Sequence, residues 1–139
     1  NRSKKEVDGA KQVDLDYLLE NSDVITLHTA YSEKLHHLID AKAFSKMKKS
    51  AYLINASRGK VISEQDLINA LNNGEIAGCA LDVYEFEPKI SEDLRNAKNI
   101  LLAPHLGNAT KLARVQMGEF TFDNIMQFKK GEIPKNKVN

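Results

Sequence analysis

Five side chains of this 139-residue sequence could act together on an anionic substrate: a guanidinium, three carboxylates and an imidazole. Each follows a short apolar run, and they are Arg58, Asp82, Glu85, Glu87 and His105. An arginine presents a planar fork of donors that can hold a carboxylate through two parallel hydrogen bonds. A histidine can exchange a proton near neutral pH. These residue types therefore predict proton transfer on a substrate that carries a negative charge.

The sequence contains four apolar runs, at 23–28, 51–55, 77–82 and 99–103, and the five side chains lie at or after the ends of the last three. Each run is short and nearly unbroken, which is typical of strands buried on both faces of a parallel sheet. Because ligands of such sheets bind beyond the carboxyl ends of the strands, we expect the polar residues there to form the site.

Helical patterns separate the runs. Residues 40–49 carry apolar residues at helical spacing and end in a basic turn, and a second helix is predicted from an N-cap at Ser63 to Gly74. A final apolar stripe spans 110–130, whereas residues 1–11 are charged and predict a connection. The predicted order is β, α, β, α, β, loop, β and a terminal helix, which defines an α/β fold.

Four stretches make the sequence resemble the D-isomer-specific 2-hydroxyacid dehydrogenases, of the glyoxylate/hydroxypyruvate reductase-like type. They are DVITLH at 23–28, LINASRG at 53–59, ALDVYEFEP at 80–88 and APHLGNAT at 103–110. The similarity is to the C-terminal part of the family's nucleotide-binding domain.

The resemblance implies part of a doubly wound, Rossmann-type parallel sheet that lacks its first two strands and the Gly-rich loop. None of the seven glycines forms a GxGxxG motif that could hold a pyrophosphate. Residues 1–109 would be the C-terminal portion of the NAD(P)-binding domain. Residues 110–139 would be a C-terminal helix and tail that return toward a substrate domain outside this sequence. The chain is thus expected to be a fragment of a longer polypeptide.

The resemblance also implies an activity, namely hydride transfer between a nicotinamide cofactor and a small 2-oxo acid to give a D-2-hydroxy acid. Arg58 would bind the carboxylate and carbonyl of the oxo acid, His105 would donate the proton, and Glu87 would hold His105. A positioned acid of this kind contributes about 10² to 10⁴ in rate.

Cofactor contacts follow from the same resemblance. Asp82 would meet the nicotinamide carboxamide, and the remaining contacts would be Thr29, Ala30, Ala56, Ser57 and Gly107. Arg2 and Ser3 stand where an acidic residue would bind the ribose 2′-hydroxyl of NAD, so they favour NADP, with NAD as the alternative.

Several functional alternatives remain open at this point. The substrate could be glyoxylate, hydroxypyruvate or 2-ketogluconate, and a phosphoglycerate dehydrogenase is the second candidate among the enzymes. A dinucleotide-sensing, corepressor-like binding protein would keep the same three catalytic-type residues without turnover. By analogy with the family, a homodimer through the nucleotide domain is expected.

The amino-acid composition argues against nucleic-acid and membrane partners and indicates the redox state of the protein's compartment. The formal charge of +1 lacks the excess that nonspecific nucleic-acid binding requires. No apolar run approaches the ~18 residues that cross a bilayer, so no membrane partner is expected. A single cysteine, Cys79, cannot form an intrachain disulfide, which suits a reducing, cytoplasmic compartment.

Two further features receive an ordinary structural interpretation. His36 and His37 are adjacent, so on a regular element their rings would point apart, and no metal site is predicted. Glu85 is expected to be a solvated neighbour of the site.

Overall fold

The computed structural model describes residues 9–137, which form two compact units. The first unit ends at Pro104 and the second begins at His105. The first contains one four-stranded sheet in the order β1-β2-β3-β4, and all neighbouring strands are parallel. The strands are Val24–Leu27 (β1), Tyr52–Asn55 (β2), Gly78–Leu81 (β3) and Ile100–Leu102 (β4). Each lies inside a predicted run, so the parallel, Rossmann-like α/β sheet is confirmed.

Five α-helices accompany the strands within residues 9–137. They are Leu15–Asn21 (α1), Ala41–Lys46 (α2), Glu64–Asn73 (α3), Glu92–Arg95 (α4) and Lys111–Lys129 (α5). Single 3₁₀ turns occupy Glu33–Leu35 and Gly59–Val61. Helices α2, α3 and α5 confirm the sequence prediction. Ser63 caps α3 through the Asp66 amide, and Gly74 closes it at a φ of +69°.

Helices α1 and α4 were not predicted. Asp14 caps α1 by accepting a hydrogen bond from the Tyr17 amide at 2.8 Å. The connection before β4 was expected to be a loop, but Ser91 starts the four-residue helix α4 there by capping Leu94. Both helices are too short to show a clear helical period in the sequence.

Within residues 9–137, only one face of the sheet is covered. Side chains alternate between buried and exposed along β1 and β2, and α1, α2 and α3 pack side by side over the buried face. The other face exposes apolar side chains around an open groove of about 700 Å³; they include Val24, Tyr52, Ile54 and Leu101. The expectation of burial on both faces is therefore wrong within the described chain, because crossover helices that wind in one direction cover a single face.

The second unit is built around α5. Thr110 caps this helix through the Ala113 amide at 3.2 Å, and the Asn108 side chain contacts the Met117 sulfur. The helix has no buried residue, and eight large apolar side chains along it are exposed: Leu112, Val115, Met117, Phe120, Phe122, Ile125, Met126 and Phe128. Among the helices of residues 9–137, none has the length and apolar character needed to span a membrane.

Candidate active site

The turn that carries Arg58 is shaped by the amide side chain of Asn55, the last residue of β2. Asn55 is completely buried, and its Oδ1 accepts hydrogen bonds from the Ser57 amide at 3.0 Å and the Ser57 hydroxyl at 2.8 Å. Its Nδ2 donates to the Arg58 carbonyl at 3.0 Å. The chain therefore bends directly after the strand. The Arg58 side chain is exposed, and its Nη1 donates to the Ser57 carbonyl at 2.7 Å.

Gly59 lies directly against the loop that follows β3. A Cβ atom on Gly59 would fall 1.9 Å from the Tyr84 carbonyl carbon and 2.4 Å from the Glu85 nitrogen. No side chain fits into that space unless one of the two backbones moves. The contact brings the Arg58 turn and the Glu87 loop together at the carboxyl end of the sheet.

Tyr84 makes two hydrogen bonds that fix the Glu87 loop, one from its backbone and one from its side chain. Its backbone amide donates to Glu87 Oε1 at 2.9 Å, and its hydroxyl donates to the Ala103 carbonyl at 2.6 Å, just beyond β4. Burial raises the pKa of Tyr84, and the Asp82 and Glu87 carboxylates raise it further. The phenol consequently stays protonated and remains a hydrogen-bond donor.

Glu85 is not the solvated neighbour that the sequence suggested. Its side chain is only 10% exposed, and its Oε1 lies 2.7 Å from His37 Nε2. Its Oε2 accepts a hydrogen bond from the Glu64 amide at 3.1 Å, and Glu64 Oε1 accepts one from the Glu85 amide in return. The prediction was wrong because these partners are far from Glu85 in the sequence.

Glu64 is itself a buried carboxyl group at the start of α3. Burial is the largest cause that raises its pKa, and the nearby Glu85 carboxylate raises it as well. The hydrogen bond from the Glu85 amide acts in the opposite direction but does not cancel the shift.

His36 and His37 do not point apart, contrary to expectation. Their rings stack with centroids 3.8 Å apart and planes 22° apart, because they occupy a turn in which His37 has a φ of +50°. With Glu85 they offer three possible ligand atoms within 4.8 Å of one another. The lone pairs of stacked rings lie in two nearly parallel planes, whereas zinc needs lone pairs that converge on one point at about 2.0–2.1 Å. The absence of a metal site stays a prediction.

The expected cofactor contacts begin in the loop after β1. The Thr29 hydroxyl is buried and makes no hydrogen bond within residues 9–137. A buried hydroxyl of this kind is suited to a polar group of a ligand. Ala56 is exposed, whereas Ser57 is buried and its hydroxyl donates to Asn55.

The other expected site residues lie in several places. Asp82 directly follows β3, and its amide donates to the Asn55 carbonyl at 2.9 Å. Gly107 and His105 belong to the second unit, where His105 is exposed with a φ of +56°. Positive φ is uncommon for a residue with a side chain and is often found at functional sites. Arg2 and Ser3 lie outside the described residues.

A parallel α/β sheet with an arginine turn and a carboxylate loop packed together at its carboxyl edge defines a Rossmann-like ligand-binding domain. Residues 1–107 match the family model described as "D-isomer specific 2-hydroxyacid dehydrogenase, NAD binding domain". The chain belongs to the D-isomer-specific 2-hydroxyacid dehydrogenase family.

Individual relatives agree with this assignment. The chain is 53% identical over 131 residues to a protein of Staphylococcus aureus (strain MRSA252), provisionally named a 2-hydroxyacid dehydrogenase, with 94% of this chain and 41% of that protein covered. A glyoxylate reductase from Paecilomyes thermophila has a TM-score of 0.89 and 37% identity, over 96% of this chain and 42% of that one.

A further similar structure is an NADPH-dependent glyoxylate/hydroxypyruvate reductase from Sinorhizobium meliloti, solved with NADP and malonate. It gives a TM-score of 0.87 and 30% identity, over 92% of this chain and 40% of that one. The chain therefore spans less than half the length of the relatives it matches.

Proposed function

We propose that this chain forms the catalytic part of the nucleotide domain in an enzyme that reduces a small 2-oxo acid to a D-2-hydroxy acid. The substrate class is that of glyoxylate, hydroxypyruvate and 2-ketogluconate. The observation that carries the proposal is the close packing of the Arg58 turn on the Glu87 loop, through Gly59 and Tyr84. The glyoxylate reductases among the similar structures support this class of substrate.

Arg58 is assigned to the carboxylate and carbonyl of the oxo acid. Its side chain is exposed at the carboxyl end of β2, and its guanidinium provides the planar donor fork that a carboxylate needs. Asn55 fixes the turn beneath it from a fully buried position. Arg58 would thus orient the oxo acid before reaction and stabilise the charge that develops on its carbonyl oxygen.

His105 is assigned as the acid that gives the carbonyl oxygen its proton, and Glu87 as the carboxylate that supports His105. A nicotinamide cofactor, when bound, supplies the hydride. An imidazolium paired with a carboxylate holds its proton more firmly until negative charge develops on the substrate oxygen.

The proposed cofactor contacts remain Asp82, for the nicotinamide carboxamide, together with Thr29, Ala30, Ala56, Ser57 and Gly107. The buried Thr29 hydroxyl, which has no partner within residues 9–137, supports a polar ligand at this loop. NADP is the proposed cofactor on the strength of Arg2 and Ser3, and NAD is the alternative.

The proposed domain organisation assigns 1–109 to the C-terminal portion of the NAD(P)-binding domain and 110–139 to a helix and tail that return toward a substrate domain. Apolar side chains exposed on the sheet and along α5 support burial against further polypeptide, including a second copy in a homodimer. The single cysteine, Cys79, forms no intrachain disulfide, which supports a reducing, cytoplasmic setting.

The function can be tested by absorbance, with the complete polypeptide that carries this chain and either NADPH or NADH. We expect glyoxylate, hydroxypyruvate or 2-ketogluconate to drive rapid loss of NADPH and slower loss of NADH. Arg58→Ala should raise KM for the oxo acid and lower kcat, whereas Arg95→Ala, at an exposed position in α4, should leave both unchanged.

Three other outcomes would contradict specific parts of the proposal. Binding of reduced cofactor without its consumption would indicate a dinucleotide sensor. Turnover confined to phosphoglycerate with oxidised cofactor as the hydride acceptor would indicate the phosphoglycerate-oxidising type. Equal rates with NADPH and NADH would contradict the NADP assignment.

A further inference from the structure

Glu85 joins three segments that are far apart in the sequence. Its Oε1 contacts His37 in the turn after β1, at 2.7 Å. Its Oε2 accepts a hydrogen bond from the amide of Glu64, the first residue of α3, at 3.1 Å. Glu85 itself lies in the loop after β3, two residues before Glu87. One side chain therefore connects three segments of the first unit.

The surroundings of Glu85 make this connection rigid. Its side chain is 10% exposed, both of its oxygens are engaged, and its own amide donates to Glu64 Oε1. A carboxylate hydrogen-bonded through both oxygens in a shielded position has few alternative rotamers.

The Arg58 turn is enclosed by the same segments. On one side, Gly59 is packed against the Tyr84 carbonyl and the Glu85 nitrogen. On another side, the His37 amide donates to the Lys60 carbonyl at 3.0 Å. His37 and the loop of Glu85 therefore both contact the turn. The bond between the His37 and Glu85 side chains links these two contacting segments to each other.

We propose that Glu85 is a positioning residue, which through its bond to His37 fixes the Arg58 turn relative to the Glu87 loop and so sets the affinity for the substrate carboxylate. This inference rests on the proposed role of Arg58 as the carboxylate-binding residue. Glu85 touches neither substrate nor cofactor in this role, because both of its oxygens are engaged by His37 and Glu64.

The test is the Glu85→Gln variant of the complete polypeptide. Glutamine keeps the size of the side chain and a carbonyl oxygen for the Glu64 amide, but it removes the charge opposite His37. We expect the Kd of oxalate, a dianion that resembles a 2-oxo acid, to rise ~10-fold and KM for glyoxylate to rise in parallel. The Kd of reduced cofactor should stay within about twofold, and Glu20→Gln, on the exposed surface of α1, is the matched control.

A double-variant cycle separates positioning from general stability. If Glu85 acts through Arg58, Glu85→Gln changes oxalate binding by less than about twofold once Arg58→Ala is present. The same ~10-fold loss in both backgrounds, or an equal loss of cofactor affinity, would overturn the proposal. His37→Gln breaks the bond from its other side and provides a second variant should Glu85→Gln fold poorly.

The oxalate titration also distinguishes the failure of this inference from the failure of the proposed function. Oxalate binding that weakens in Glu85→Gln supports the positioning role even where the wild-type protein shows no turnover. If the wild type turns over its substrate but oxalate binding is unchanged in Glu85→Gln, the proposed reduction stands and the positioning role is rejected.

Discussion

Asn55 illustrates how one buried polar residue can determine the position of a charged one. Its amide makes three hydrogen bonds to Ser57 and Arg58, and so directs the Arg58 side chain outward at the end of β2. The sequence identified Arg58 as a strand-end arginine with the right chemistry. It could not show which atoms hold the turn, because that requires knowing that Asn55 faces the core.

Glu64 makes the stability of the protein depend on pH in a definite direction. Because burial raises its folded-state pKa above the ordinary value of 4.5, the folded protein binds this proton more tightly than the unfolded chain does. The tighter binding of this proton adds to the free energy of unfolding at pH values below the unfolded-state pKa of Glu64. The added stability is lost as the pH rises from that value through the raised folded-state pKa. Glu64→Gln keeps a side-chain oxygen that can accept the hydrogen bond from the Glu85 amide, but the glutamine side chain does not titrate. We expect the stability of the variant relative to the wild type to increase with pH across that window.

Urea unfolding at a series of pH values measures this difference. Glu20→Gln, an exposed substitution on α1, serves as the control and should show no comparable trend. A constant difference between Glu64→Gln and the wild type at every pH would contradict the assignment of the titration to Glu64.

At the scale of elements, the strands were predicted better than their surroundings. Short apolar runs located all four strands, and cap residues located α3, because both signals are local in the sequence. Burial on both faces was not predictable in the same way. Which face of a strand is covered depends on where distant helices pack, and here α1, α2 and α3 all lie over one face.

The same limit applies to contacts between loops of the candidate site. His37 and Glu85 are separated by 48 positions, and neither residue lies in a periodic pattern that would pair them. Glu85 was therefore interpreted as solvated, although its neighbour Glu87 was recognised from a motif. Motifs identify residues that meet a ligand, whereas buried supporting pairs become visible only once the chain is folded.

Packing between the Arg58 turn and the Tyr84 loop predicts a strong effect of a single methyl group. Gly59→Ala would place a Cβ atom 1.9 Å from the Tyr84 carbonyl, so one of the two loops must move. We expect a lower melting temperature and a loss of kcat/KM of ~10²-fold in the complete polypeptide. Gly118→Ala is the matched control, since no atom of residues 9–137, apart from its own neighbours in the helix, lies within 4 Å of a Cβ atom built at that position in α5, and alanine should stabilise the helix by about 0.5–1 kcal/mol. Unchanged kcat/KM in Gly59→Ala would show that the loops do not need this contact.

At the scale of the whole molecule, the described chain exposes large apolar side chains on the uncovered face of the sheet and along α5. Tyr52 and Leu101 are 53% and 65% exposed on the uncovered face of the sheet. Because such patches promote association in water, we expect the 139-residue chain, produced by itself, to self-associate as its concentration rises. Tyr52→Lys combined with Leu101→Lys should shift sedimentation toward the monomer.

A control for surface charge alone is available on α1. Tyr17 has a similar exposure to Tyr52, and its replacement by lysine should leave the association unchanged. Equal sedimentation of the double variant and the wild type would show that the uncovered sheet face is not the associating surface.

The sequential strand order β1-β2-β3-β4 has a consequence for how the domain is made. Within residues 9–137, each strand after β1 pairs with the strand that precedes it in the chain, so none of these pairings has to wait for a segment synthesised much later. Loop closure between consecutive strands involves modest chain lengths, which favours rapid formation of each pair. During translation the sheet can thus grow from the amino-terminal side, one strand and one crossover at a time, as each segment leaves the ribosome.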